Sequence, residues 1–134
     1  MTEALPVVPV PFAGHVANVT DDRCIEIAAS PPGPPRRVDG YSVGVVRVDT
    51  GPGPHDGEMH PDGDECLHAV SGTMEVLVDD GDADAIGTVT TVLLQRGDAC
   101  VVPRGVWHRV VALEPGLLLH VTPGPNGPAR VRGA

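Results

Sequence analysis

The chain has 134 residues, a formal net charge of −9 and three aromatic side chains, Phe12, Tyr41 and Trp107. That length fits one domain. The acidic balance speaks against a phosphate-backbone partner, and the scarcity of aromatics removes a base-stacking platform, so no nucleic-acid partner is expected. All nine basic residues are Arg, which excludes a Schiff-base or phosphate-loop lysine.

The elements follow in chain order. Residues 1–13 are Pro-rich and expected to be extended. Residues 14–28 hold two short strand-like runs around the Asp21-Asp22 turn, and 30–40 form a Pro-rich loop that cannot be helical. A long β-branched strand spans 41–49. Glu58 to His60 is a strand stub, followed by a turn over 61–64. Strands over 65–71 and 73–78 join at Gly72. An acidic loop covers 79–87, a strand 88–95 and a turn 96–98. Strands at 99–102, 106–112 and 117–122 complete the set, and a Gly/Pro/Arg-rich tail begins at Pro123, expected to wrap the surface or fray. No helical periodicity is sustained anywhere. Many short strands with close turn signals read as an all-β sandwich, barrel or jelly roll.

Three cysteines, Cys24, Cys66 and Cys100, lack C-x-x-C spacing and read as small buried hydrophobes rather than a disulfide framework. No basic leader precedes an apolar run and no stretch reaches the length of a membrane span. A cytoplasmic protein without a membrane partner is expected.

Several motifs fail on inspection. The segment 51–57 is glycine-rich, but its two prolines and the lack of a following helix exclude a phosphate cradle. Asp80, Asp82 and Asp84 alternate, yet the sixth and twelfth positions of an EF-hand loop would be Ala85 and Thr91.

One segment concentrates ligand-type residues. Glu58 and His60 lie two apart on a strand stub and share a face. After the Pro61-Asp62-Gly63 turn the chain returns, and Glu65 can point back toward that face. His108 follows a second Pro/Gly turn and can add a fourth donor if its strand faces the first. Two imidazoles and two carboxylates suit a divalent transition metal: Fe(II), Mn(II), Zn(II) or Ni(II).

These blocks resemble the cupin family. His60, Glu65 and Gly72 match the second half of its first motif, G-x5-H-x-H-x3,4-E-x6-G. Gly97, Pro103, Gly105 and His108 match its second motif, G-x5-P-x-G-x2-H-x3-N. The resemblance departs at three places: Glu58 stands for the first His, position 52 is Pro52, and Ala112 replaces the final Asn. It implies an all-β jelly-roll barrel of two antiparallel sheets over 40–122, with an N-terminal arm over 1–39 and a tail over 123–134. It also implies a metal held by Glu58, His60, Glu65 and His108. With Glu58 in place of a His, that site is harder than the family's three-His, one-Glu set and favours Fe(II) or Mn(II).

The remaining polar residues sort by position. His120 lies in the last apolar strand; a satisfied core His is one reading, and a barrel interior makes it the first choice for a substrate contact or proton carrier. His55 could replace Glu58 as a ligand from its Gly/Pro loop. Tyr41 and Arg47 are weaker pocket residues. Strand alternation turns His68 to the opposite face from Glu65. Trp107 should face away from His108, and Asp62 and Asp64 should hold the turn.

The resemblance implies a metal-dependent enzyme acting on a small organic molecule, with oxygenases among the relatives. A non-catalytic small-molecule-binding module and a metal-independent isomerase or epimerase are the alternatives. It also implies a homodimer, for which residues 1–13 can cross to a partner.

Overall fold

The computed structural model describes residues 7–30, 37–125 and 130–133. Residues 1–6 and 31–36, parts of the expected extended segment and loop, fall outside the described residues. Eleven strands form among the described residues: β1 (His15–Thr20), β2 (Ile25–Ala29), β3 (Gly40–Val48), β4 (Gly57–Met59), β5 (Glu65–Ala69), β6 (Thr73–Asp79), β7 (Val89–Leu94), β8 (Ala99–Val102), β9 (Trp107–Glu114), β10 (Gly116–Pro123) and β11 (Arg130–Arg132). No helix occurs among the described residues.

The strands make two antiparallel sheets, as the all-β reading expects. One has the order β2-β1-β3-β10-β5-β8 and the other β11-β4-β9-β6-β7. Consecutive side chains on a strand point to opposite faces, so each sheet offers one face to the other. Along β5, Glu65, Leu67 and Ala69 are buried while Cys66 and His68 are not. The core joins Leu67, Ala69, Val102 and Leu118 of the larger sheet to Met74, Val76 and Leu94 of the smaller one. It is aliphatic throughout, as the shortage of aromatic residues requires.

The tail differs from expectation. Residues 130–132 pair with β4 as an added strand, with Val131 opposite Glu58. Arg132 is buried at 4% exposure. Its guanidinium grips Asp79 at 2.5 and 3.1 Å, donates to the carbonyls of Asp56, Asp82 and Ala85, and stacks on Trp107 with 4.9 Å to the ring centroid. Two Arg flanking one Val give no alternation to read, so the pairing is invisible until the partner strand is known. A second correction concerns the cysteines. Cys100 packs against the core, but Cys24 is exposed beside the Asp21-Asp22 turn.

Candidate metal centre

The two sheets bring four elements together at one end of the barrel interior. The pairing of β4 with β9 sets Glu58 directly opposite His108. Glu65 opens β5, and the turn that carries His60 lies between β4 and β5. Two hydrogen bonds tie this turn to the one before β9: Gly105 N–H donates to the His60 carbonyl at 3.0 Å, and Arg104 N–H donates to Asp64 Oδ1 at 2.8 Å. Gly105 has φ +76°, a backbone state that glycine adopts without strain. The Arg104 guanidinium also reaches the Asp62 carbonyl. Asp64 through its carboxylate and Asp62 through its carbonyl therefore tie the two blocks together, a contact beyond the turn-holding role expected of them.

The result is a tight polar cluster. One donor atom from each of Glu58, His60, Glu65 and His108 lies within 4.8 Å of all the others. His108 Nε2 is 2.8 Å from Glu65 Oε1 and 3.8 Å from Glu58 Oε1; His60 Nε2 is 3.2 Å from Glu65 Oε2 and 3.5 Å from Glu58 Oε1. His60, Glu65 and His108 are at most 3% exposed. Neither ring nitrogen of the buried His60 has a hydrogen-bond partner among the described residues. His108 Nδ1 lies 3.0 Å from the Val106 carbonyl, which can only accept. That bond protonates Nδ1 and turns the Nε2 side toward the carboxylates.

Burial and pairing oppose each other here. Burial pushes both carboxyl groups up, but the imidazoles outweigh it. Glu65, beside His108 and His60, is held down to about 2, and Glu58, beside His55 and His60, lies well below the usual range. Burial pushes the imidazoles down, but Glu58 and Glu65 lift His60 to about 9 and raise His108. Without a metal, the cluster holds protons on its imidazoles to balance its carboxylates.

His120 stands next to this cluster on β10. Thr122 Oγ1 donates its single proton to Glu65 Oε2 at 2.7 Å, so it accepts from His120 Nδ1 at 2.8 Å. The network leaves His120 Nε2 as a lone-pair nitrogen. Burial, with Arg37 adding to it, lowers the pKa of His120, so the ring is neutral at pH 7. Opposite it in register is Gly44, where a β-carbon would lie 2.7 Å from His120 Nε2. The missing side chain makes room for the imidazole.

A cavity of about 440 Å³ opens from the cluster. Its walls include Arg37, Val48, Leu67, Val110, Leu118 and His120. Arg47 also lines it, although its guanidinium pairs with Asp49 at 2.9 Å. Tyr41 does not line it; its hydroxyl lies against Gly63. His55 accepts from Gly57 N–H at Nδ1 and turns Nε2 to Glu58 Oε2 at 3.5 Å, so it braces Glu58 instead of replacing it. His68 faces the other way, with Nδ1 3.1 Å from the Asp98 carbonyl. The sequence reading missed Thr122, which sits two residues after His120 and hence on its face. It also missed Arg37, whose loop gives no motif.

Among curated protein sequences, none matches this chain. Solved structures do. A cupin-2 domain protein from Shewanella frigidimarina aligns with TM-score 0.50 and 24% identity over 66% of this chain and 74% of its own. Two oxalate decarboxylases align with TM-score 0.52. A point mutant of the Bacillus subtilis enzyme is 25% identical over 65% of this chain, and the Lactobacillus farciminis enzyme in a formate complex is 26% identical over 66%. The aligned parts span 22% and 25% of those enzymes. The cupin domain family matches residues 44–122, a stretch that runs from Gly44 through both turn blocks to Thr122. With the motif spacing, the two-sheet barrel and the family match in agreement, this chain belongs to the cupin family.

Proposed function

We propose that this chain is a metal-dependent cupin enzyme acting on a small organic molecule. Glu58, His60, Glu65 and His108 hold one divalent transition metal, Fe(II) or Mn(II) by preference, with Zn(II) or Ni(II) also compatible with the donors. The observation that carries this reading is His60. Its imidazole is buried with neither nitrogen hydrogen-bonded among the described residues, in a set of four donors within 4.8 Å. Its Nε2 is only ion-paired, 3.2 Å from Glu65 and 3.5 Å from Glu58 without hydrogen-bond geometry, and a cation that displaces the proton and takes the lone pair would give this buried nitrogen a directional partner. The Bacillus subtilis oxalate decarboxylase has Mn(II) centres, which supports Mn(II) here.

A bound metal supplies a Lewis acid for a substrate oxygen or a carrier for O2. The chain supplies the rest. Val48, Leu67, Val110 and Leu118 give the substrate an aliphatic surface within the cavity wall. His120, neutral and held by Thr122, takes a proton at Nε2. Thr122 links that proton carrier to Glu65.

A second reading has its own observation. With His60 lifted to about 9, the four side chains can balance their charges with protons alone, as a metal-independent isomerase or a binding module would require. Metal analysis of untagged protein by mass spectrometry separates the two. The metal reading expects close to one equivalent and a higher melting temperature with Mn(II) or Fe(II). No copurified metal and an unchanged melting temperature with all four ions would overturn it. O2 consumption then divides an oxygenase from the isomerase and decarboxylase branches.

A homodimer is the proposed assembly. β2 is an edge of the larger sheet, with Ile25 and Ile27 exposed, and unpaired edges invite pairing. Light scattering at the monomer mass would reject it. Three free cysteines support a reducing, cytoplasmic setting.

A further inference from the structure

We infer that the outer face of the six-stranded sheet seats a second copy of this chain, packed sheet on sheet about a two-fold axis, a refinement that rests on the homodimer reading and names the surface joining the copies.

The strand register fixes what this face carries. Residues paired across antiparallel strands point to the same side. On β5, Leu67 is buried while Cys66 and His68 are not, so their partners also point outward. Val121 of β10 and Val101 of β8 lie opposite Cys66, and Leu119 of β10 lies opposite His68. From β10 the side passes to Val43 and Val45 of β3, and through β1 to Ile27 of β2. Val101 is 61% and Ile27 51% exposed; the four central residues are half-buried. An antiparallel sheet with a solvated face carries polar residues there, and this one carries aliphatic residues instead.

Charge points to the occupant. The chain has a net charge of −9, yet the two acidic residues of these six strands, Glu26 and Glu65, both point the other way. Glu26 pairs with Asn18, which pairs with the buried Ser42, and Glu65 joins the donor cluster. His15, Tyr41, Arg47 and His68 sit at or beside strand ends, and Arg47 is already paired with Asp49. The polar groups thus form a rim around an apolar centre, the plan of a protein interface. With strands about 4.8 Å apart and about 3.3 Å per residue along each, the six strands present roughly 600 Å² of face. Two such faces bury roughly 1,200 Å², the size at which specific interfaces begin. An extended segment would cover one strand's width of this area. A second copy covers all of it, and a face without carboxylates meets itself without setting like charges together.

The test is light scattering of the full chain over a dilution series, with circular dichroism to confirm that each variant is folded. The wild type should show twice the 13.8 kDa protomer mass at micromolar concentration. Val45→Glu and Leu119→Glu should each weaken the dimer at least tenfold, because each sets a carboxylate from both copies into the apolar centre. Leu93→Glu, exposed on the other sheet, should keep the dimer. Where a face variant does not fold, alkylation of the wild type decides. Cys24, exposed, should react with iodoacetamide at every dilution, whereas Cys66, pointing into the face, should gain at least tenfold in rate as the dimer dissociates. A dimer that survives in both folded face variants, equal loss in Leu93→Glu, or a Cys66 rate unchanged by dissociation overturns the proposal and leaves the homodimer standing. A wild type at the protomer mass throughout overturns both.

Discussion

The hydroxyl of Thr122 bridges His120 and Glu65, at 2.8 Å from the first and 2.7 Å from the second. One small side chain thereby fixes the tautomer of the proposed proton carrier and the orientation of a proposed ligand. Thr122→Val keeps the shape and removes both bonds. Metal affinity should fall by about 10- to 100-fold, the usual cost of losing such a support. Competition with a fluorescent chelator measures it. Unchanged affinity would mean that Glu65 is held without the hydroxyl.

The four clustered side chains should separate cleanly from the outward histidine. His60→Ala and His108→Ala should each remove most bound metal, because each deletes a nitrogen donor. His68→Ala should leave occupancy near wild type, since its ring bonds the Asp98 carbonyl on the opposite face. Metal content by mass spectrometry reads all three. Equal loss in His68→Ala would contradict the face assignment of β5.

The metal-free protein should show a two-sided pH dependence. His60 has its pKa raised from 6.5 to about 9, so the stability it contributes is complete below pH 6.5 and fades as pH climbs through about 9. Glu65 has its pKa lowered from 4.5 to about 2, so its contribution is complete above pH 4.5 and fades as pH falls through about 2. The melting temperature of metal-free protein should therefore peak between about pH 4.5 and 6.5. Metal competes with the imidazole protons, so its affinity should rise from pH 6.5 to 9 and the alkaline decline should vanish in loaded protein. Calorimetric scans across pH, with and without Mn(II), check both statements.

Arg132 should matter for the fold. Arg132→Ala leaves Asp79 buried without its cation, a change that costs about 3–5 kcal/mol. Arg132→Lys should recover little, because one ammonium cannot match the two-pronged grip on Asp79 or the stack on Trp107. Urea unfolding measures both variants. A loss under about 1 kcal/mol in Arg132→Ala would show that the pair contributes little net stability.

Local signals in the sequence account for much of this arrangement. Runs such as Val89–Leu94 are β-branched and bounded by turn residues, so nearly every strand announces itself within two residues of its observed limits. Glu58, His60, Glu65 and His108 sit at spacings that bring them to one corner once the barrel closes, and they do gather there. What escaped reading depends on distant partners. β11 has no pattern of its own and exists because β4 offers it an edge. Asp79 looks like the first residue of a solvated loop, yet it is buried because Arg132 comes from 53 residues away to meet it. Arg37 shares no motif with the donors it approaches. Cys24 is exposed, as is every residue of β2 that follows it, a fact of layering that composition does not record.

Gly44 faces His120 with no side chain of its own. A methyl group there would press first on the ring nitrogen that is free to receive a proton, and would also meet Val16. Position 44 is thus a natural dial for engineering. It sets how far the imidazole leans toward β3 and allows the proposed proton carrier to be detuned without altering the proposed metal donors.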